Sequence, residues 1–369
     1  MTVFKNISNI YSYLIFRLLR LIIYRQNASE TENILFVNTG QIGDLVVSSM
    51  IFDNDDEFKS ESNIYLLMKK NYYSLFKNYK GKVNILTYDY KKYKFSLFYR
   101  IKFIRKLNSL NLKTVFNITA ARGVLNDEIT LLSGARQKFT TCNDLKYLGQ
   151  LIGNKMNKEY DDIFFKEEIN EYTKHILLLK YLSIKDPLFF NNKSFNTENY
   201  SDFLIKKEYD KNNYILISPL PSDLSKSWGI ENYKNLCSEL NKKYKIILIG
   251  SPGSIDSLQY ISGGNSNVYL ETCELEYIPA VIANSKLFIG NDSGLTHLAL
   301  KLNKTLIAIL SGAYFNMYFP YKGKPGKFVY LYEIRDCFDC HSECIYQKPL
   351  CLTNIKLNYV MEEIEKILQ

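Results

Sequence analysis

FIGNDSGLTHLALKL, residues Phe288 to Leu302, decides how this chain folds. A short apolar run ends in Asn291-Asp292-Ser293-Gly294, and an apolar-periodic helix begins at once with Leu295, Thr296 and His297. A strand that passes through a small-residue turn into a helix leaves backbone N–H groups unpaired at the positive end of the helix dipole, which suits a phosphate. Ser293, Gly294, Leu295 and Thr296 are the candidate amide donors, with hydroxyls from Ser293 and Thr296. Asp292 reads as a cap or a brace of the turn, and His297 either donates to phosphate or ribose or packs against the turn. Taken alone, the stretch reads equally as an ordinary capped strand–helix junction of an α/β domain.

A second junction of the same kind lies near the start. Asn33 to Asn38 reads as a buried strand, followed by Thr39-Gly40-Gln41-Ile42-Gly43-Asp44 and the apolar Leu45-Val46-Val47. Glycines let the backbone turn tightly and approach a ligand, and an Asp just inside a helix start is also favoured by the dipole alone. The spacing is neither GxGxxG nor GxxxxGK[ST], so neither a dinucleotide fingerprint nor a P-loop is supported. Between the junctions come Ile217-Ser218-Pro219, then Lys226-Ser227-Trp228, then a helix-like run from Glu231 to Lys243.

In this order, the GxxGD turn, the lysine-x-tryptophan loop and the GLTHLA turn resemble glycosyltransferase family 9, the heptosyltransferases of bacterial lipopolysaccharide assembly, from Asn33 to the C-terminus. The resemblance implies a GT-B architecture, two doubly wound parallel-sheet domains facing a cleft. It also implies inverting transfer of a sugar, heptose being the first candidate, from a nucleotide-diphosphate sugar such as ADP-heptose to a lipid-linked saccharide, with no metal required for catalysis. Asp44 matches the family's catalytic base, with Gly40, Gln41 and Gly43 in the acceptor-side loop. Lys226 matches the lysine on the diphosphate, Asp292 to His297 the second anion turn, and Gly250 lines the nucleotide end, where Asp256 and Glu271 are the nearby acidic groups for a ribose. The chain departs from the family at Asn38, where a basic residue is common, and at Ser254, where an acidic one often follows. These departures motivate an alternative: a catalytically idle nucleotide-sugar-binding scaffold of a polysaccharide assembly complex. An epimerase on the same fold is a third reading.

The chain has 369 residues, enough for two domains with buried cores, and its 46% hydrophobic and 23% charged content is globular. A net charge of +9 suits anionic partners. No nucleic-acid motif or long basic block accompanies it, so nucleic acid is not expected. Three histidines, His175, His297 and His341, leave little from which to build a His-based metal catalyst, and there is no GxSxG elbow. Asp53-Asn54-Asp55-Asp56 imitates a DxD metal motif but follows a helix-like run, so a solvated helix end is expected there, as at Asp161-Asp162.

Of seven cysteines, Cys142, Cys237 and Cys273 are scattered, and Cys337, Cys340, Cys344 and Cys351 cluster with His341 among them. The cluster is open to three readings: a structural zinc or iron site, disulfides, or reduced packed thiols. Residues 4 to 25 repeat apolar positions at helical spacing (Phe4, Ile7, Ile10, Tyr11, Leu14, Ile15, Leu18), with Lys5, Arg17, Arg20 and Arg25 as the only charges. Too short for a span and interrupted where a signal peptide has its apolar core, the segment suits a helix lying on an anionic membrane surface. A helix packed on the protein's own surface has the same pattern. The expected location is cytoplasmic, peripheral on the inner face of the membrane.

Short apolar runs alternate with helical patterns: Ile34–Val37, Ile64–Leu67, Val83–Leu86 and Thr114–Ile118 first, then Tyr214–Ser218, Lys245–Ile249, Asn267–Leu270, Lys286–Ile289 and Thr305–Leu310. The alternation argues parallel α/β sheets. The expected division is an N-terminal basic amphipathic helix (1–30), an acceptor-side α/β domain (31–175), a polar linker (176–212) and a nucleotide-sugar-binding α/β domain (213–369) with the Cys-rich segment 337–351 and a closing helix.

Overall fold

The computed structural model describes residues 2–23, 31–141, 148–165, 169–190, 192–195, 197–321, 323, 326–346 and 348–369. The side chains of Phe4 and Lys5, and residues Arg25, Cys142, Asn191 and Asn196, on which some expectations fell, lie outside that description. The chain forms two units: Met1–Tyr73 with Lys80–Leu188, and Ser74–Tyr79 with Phe189–Gln369.

In the first unit the order is α1 (Thr2–Ile22), β1 (Ile34–Val37), α2 (Ile42–Ser48), α3 (Met50–Asp53), β2 (Ile64–Lys69), β3 (Val83–Tyr88), α4 (Tyr90–Phe95), α5 (Leu97–Asn108), β4 (Thr114–Asn117), α6 (Val124–Leu131), β5 (Gln137–Thr140), α7 (Gln150–Asn157), β6 (Asp162–Ile163) and α8 (Glu171–Tyr181). The six strands are parallel, in the order β3-β2-β1-β4-β5-β6. Leu35, Phe36 and Val37 are buried on both faces of the sheet, which is why β1 reads as a continuous apolar run. Val37 pairs in register with Leu67 and Asn117, so the carboxyl ends of β1, β2 and β4 lie side by side.

The second unit repeats the plan with α9 (Ser201–Lys206), β7 (Tyr214–Ser218), α10 (Ile230–Leu240), β8 (Lys245–Ile249), α11 (Ile255–Ser262), β9 (Val268–Glu271), α12 (Ile278–Asn284), β10 (Leu287–Asn291), α13 (Gly294–Lys301), β11 (Leu306–Ile309), β12 (Phe328–Leu331), α14 (Leu350–Thr353) and α15 (Leu357–Leu368). Its sheet, β9-β8-β7-β10-β11-β12, has the same order as the first. Each sheet reverses its winding between two central strands, β1 and β4 in one and β7 and β10 in the other. Ligands of doubly wound sheets bind outside the carboxyl ends of strands at that point. Both glycine turns leave from those ends.

Three expectations need correction. Asp53, Asn54 and Asp55 are buried, not a solvated helix end. Asp55 accepts the Lys82 N–H at 2.6 Å, and the Asn54 amide brackets the Leu188 backbone, its Oδ1 taking the N–H at 2.8 Å and its Nδ2 reaching the C=O at 2.9 Å. The boundary placed at 175/176 falls inside α8, and the polar stretch after Phe189 packs with the second unit, where Phe203 stacks on Tyr277 at 4.2 Å. The N-terminal helix is no separate domain: Phe16, Leu19 and Ile23 join the core formed by α6 and α7. Its other face leaves Ile10, Tyr11, Leu14, Leu18 and Leu21 exposed.

Candidate functional site

The first turn is built around Gly40. A Cβ there would collide with the Asp44 carboxylate, which folds back over the turn, so glycine is required. Asp44 Oδ2 accepts the Gln41 N–H at 2.7 Å, closing the first turn of α2. Thr39 N–H donates to Thr119 Oγ at 3.0 Å, and Asn126 Nδ2 reaches Thr39 Oγ at 3.3 Å. Behind these residues a fully buried pair, Arg122 and Asp127 at 2.6 Å, is tied to Asn117 and Tyr160. Such a pair resists rearrangement, because removing either partner strands a buried charge.

Two residues beside this turn were not singled out from the sequence. Lys69, the last residue of β2, sits 5.2 Å from the ring of Tyr90 and 6.0 Å from that of Tyr72. Burial pulls its pKa down while Asp44 pushes it back up, so the ammonium lies within electrostatic reach of that carboxylate. Tyr72 donates its hydroxyl to the Gln41 side chain. The signal was a lysine ending an otherwise apolar strand.

In the second unit, the lysine-x-tryptophan loop is held from below. Trp228 is buried in the core and donates its indole N–H to the Ile355 carbonyl at 2.8 Å. Its backbone N–H donates to Asn291 Oδ1 at 2.9 Å, and Asn291 Nδ2 donates to the Pro219 carbonyl at 2.9 Å. Asn291 therefore couples the end of β10 to the loop after β7. Asp223 braces the same loop through the Ser225 N–H (3.0 Å) and hydroxyl (2.7 Å). The result is one position for Lys226: Nζ is 2.7 Å from Asp292 Oδ2 and 4.8 Å from the ring centre of Tyr314.

Asp292 faces Lys226 with one oxygen and His297 Nε2 with the other, at 3.6 Å. Burial alone would raise its pKa, but Lys226 and His297 hold the carboxyl well below the ordinary carboxylate range. Asp292 is therefore an orienting anion for Lys226 and not a helix cap. His297 is nearly fully buried, stacked on Phe319 at 4.4 Å with Tyr318 edge-on at 5.0 Å, so it packs as well as pairs.

The expected Thr296 donors are occupied. Its hydroxyl donates to the Asn291 carbonyl, and its N–H and that of His297 both return to the Ser293 carbonyl at 3.1 Å. Ser293 is extended at the N-cap (φ −146°, ψ 166°), which places the amides of Gly294 and Leu295 first in α13, where the helix's own ladder offers them no acceptor. Gly250 directly follows β8, with its N–H on the Glu271 carbonyl at 3.1 Å. Of the two acidic candidates for a ribose, Asp256 is exposed, and Glu271 is committed to Tyr209 (2.8 Å) and Lys207 (2.9 Å).

Among the described residues no group of three Cys, His, Asp or Glu side chains stands close enough to hold a metal ion. Cys351 is buried and accepts the Gly312 N–H at 3.5 Å, while Cys344 is exposed. Cys337, Cys340, Cys344 and Cys351 are free thiols near enough to feel one another's charge, and burial with that repulsion raises the pKa of Cys337 and Cys351.

Comparison with known proteins places these elements in a family context. Residues 179–338, spanning Lys226 and the whole Asp292–His297 turn, match the family model of glycosyltransferase family 9 (heptosyltransferase). The chain carries a family 9 glycosyltransferase domain. Among solved structures, the family 9 glycosyl transferase of Veillonella parvula DSM 2008 is 15% identical with a TM-score of 0.70, covering 93% of this chain and 99% of that one. ADP-heptose lps heptosyltransferase II of E. coli is 15% identical with a TM-score of 0.68, covering 91% and 98%. E. coli heptosyltransferase WaaC with ADP-2-deoxy-2-fluoro heptose is 15% identical with a TM-score of 0.63, covering 90% and 99%. The fold is thus GT-B, two Rossmann-like units with an added N-terminal helix. No curated protein matches its sequence. Among the described residues, no helix is long and apolar enough to cross a membrane.

Proposed function

We propose that this chain is an inverting glycosyltransferase that moves a sugar, heptose being the first candidate, from a nucleotide-diphosphate sugar to a lipid-linked saccharide of lipopolysaccharide or another surface polysaccharide. The observation that carries the reading is the Lys226–Asp292 lock beside the two open amides of α13 in a family 9 domain. In this reading Asp44 takes the proton of the acceptor hydroxyl, the freed oxygen bonds to the anomeric carbon from the far side, and the bond to the diphosphate breaks. Lys226 and the Gly294 and Leu295 amides receive the charge that develops on the leaving diphosphate. That assignment asks for no divalent cation at the reacting atoms, so magnesium or manganese added to the assay leaves transfer unchanged.

The exposed apolar stripe of α1 and the exposed Arg17 beside it support docking on an anionic membrane at the cytoplasmic face. For the four clustered cysteines two readings stand, reduced packed thiols, which the described geometry favours, and a structural zinc or iron site. Elemental analysis of the purified protein, with and without Cys337→Ser and Cys340→Ser, separates them.

The central experiment is a thermal-shift screen against nucleotide sugars, since a ligand of the folded state raises apparent stability. ADP-heptose leads the panel, because solved heptosyltransferases of the same fold are named with ADP-heptose and its fluoro analogue. Asp44→Ala then abolishes transfer while ADP binding survives; full turnover in that variant removes Asp44 from the role of base. The scaffold reading is favoured by one observation, the Asp44 carboxylate spent on capping α2. It predicts nucleotide-sugar binding with no ADP release above a no-enzyme control.

A further inference from the structure

One buried group takes no part in that chemistry. His175, on α8, lies beneath α2 with 4% of its surface exposed. Its Nδ1 is 2.9 Å from the carbonyl oxygen of Glu171. A carbonyl only accepts, so Nδ1 carries the proton and Nε2 is left as an acceptor. Ser48 Oγ stands 3.0 Å from Nε2 and donates to it. The lone pairs of Ser48 then receive Asn38 Nδ2 at 2.5 Å. The second N–H of the same amide reaches the main-chain oxygen of Asp44 at 3.1 Å, and Asn38 Oδ1 takes the Gly40 N–H at 2.9 Å.

The tautomer fixes the direction of the His175–Ser48 bond, whereas the Asn38 amide is oriented independently by the Gly40 N–H on its Oδ1. Were Nε2 protonated, Ser48 would have to accept from it as well as from Asn38, and its own hydroxyl proton would lose its acceptor. The line grips α2 at both ends, at Asp44 in its first turn and at Ser48, its last residue. A helix of seven residues has no stable geometry of its own, so its position is set by what holds it.

We propose that His175 is a positioning residue for Asp44, acting through Ser48 and Asn38 to fix the turn that aims the carboxylate. The inference rests on the reading of Asp44 as the base. It also gives Asn38 a purpose: a short amide can template Gly40 and Asp44 at once, its oxygen accepting and its nitrogen donating.

The test uses the full chain with Ser48→Ala, His175→Ala and the double variant. Three readouts are taken: imidazole ¹⁵N spectra, hydrogen exchange of the amides from Gly40 to Ser48, and ADP release from ADP-heptose. The wild type shows the Nδ1–H tautomer at His175. Each single variant speeds exchange at 40–48 and lowers kcat about 10- to 100-fold, the scale of a misplaced reacting group, with ADP affinity unchanged. The double variant is no slower than the worse single, because both break one line. Unchanged exchange at 40–48, losses that multiply, or loss of ADP affinity each overturn the proposal. If His175→Ala does not fold, Ser48→Ala, which removes one oxygen, carries the exchange and kcat tests. Asp44→Asn separates the failures: if it keeps wild-type turnover the base assignment itself falls, whereas if it is inactive and Ser48→Ala is normal, only the positioning inference falls.

Discussion

Lys226 and Asp292 form a 2.7 Å ion pair with both side chains largely buried, one at the end of a braced loop and the other at the end of a central strand. A lysine meant to receive a diphosphate is here already matched by a carboxylate. The pair keeps the ammonium charged and aimed while it waits, since burial alone would lower the lysine's pKa and Asp292 raises it above its ordinary value. Lys226→Met and Asp292→Asn each strand one buried charge, and each is expected to cost about 3–5 kcal/mol in urea unfolding. The double variant loses less than the sum. Lys226→Met also removes the thermal shift given by ADP. Additive losses would mean that the two groups do not act as a pair.

The two halves of the GLTH turn are expected to respond differently. Gly294 occupies the first position of α13, where proline is tolerated, and Ser293 before it is already extended, as proline demands. Gly294→Pro removes one open amide and little else. It leaves urea stability nearly unchanged and weakens ADP binding in calorimetry. Thr296→Val removes the donor to the Asn291 carbonyl instead. It costs about 1–3 kcal/mol of stability and leaves ADP affinity in place. The opposite pattern would move the anion site off these amides.

The strands that carry the site were legible because they are buried on both faces and read as unbroken apolar runs: Ile34–Val37, Tyr214–Ser218 and Lys245–Ile249 appear with the expected limits. Phe328–Leu331 was not, since it is an edge strand of mixed burial, and Asp162–Ile163 is too short to show a pattern. The turns themselves were visible in their glycines. What the sequence hid was partnership. Asp292 looks like a cap, and only the folded chain brings Lys226 to it across 66 positions. Asn54 and Asp55 look solvated because polar side chains usually are, yet backbone groups of Leu188 and Lys82 complete them. The line from His175 to Asp44 joins residues 131 positions apart, beyond any local spacing rule.

The exposed stripe of α1 gives a prediction independent of the reaction. Leu14 and Leu21 are well exposed, on the face opposite the buried Phe16 and Leu19. Replacing both with serine removes apolar area that would enter a headgroup layer, without touching the core. The variant is expected to keep wild-type urea stability and to cosediment less with vesicles of phosphatidylglycerol and phosphatidylethanolamine. Wild-type binding weakens as salt rises, because the contribution of the exposed Arg17 is screened. Equal cosedimentation of the two proteins would assign the stripe to a protein partner.

Acid should reach the first unit through His175. Burial pushes its pKa down to about 4 from an ordinary value near 6.5; the Glu171 carbonyl and the charge of Asp44 oppose that push, and Lys174 adds to it. Between those two values the unfolded chain binds a proton that the folded chain refuses, so unfolding becomes easier as pH falls through that window. Above about 6.5 both states hold the neutral ring and the effect vanishes. At pH 4 it amounts to about 3 kcal/mol if the full shift is realised. Urea unfolding of the wild type at pH 7, 5.5 and 4 should show stability declining, and His175→Asn, which cannot titrate, should decline less over the same interval. Parallel declines would mean that the imidazole is charged in the native protein, and that Ser48 is held by it in the reverse sense.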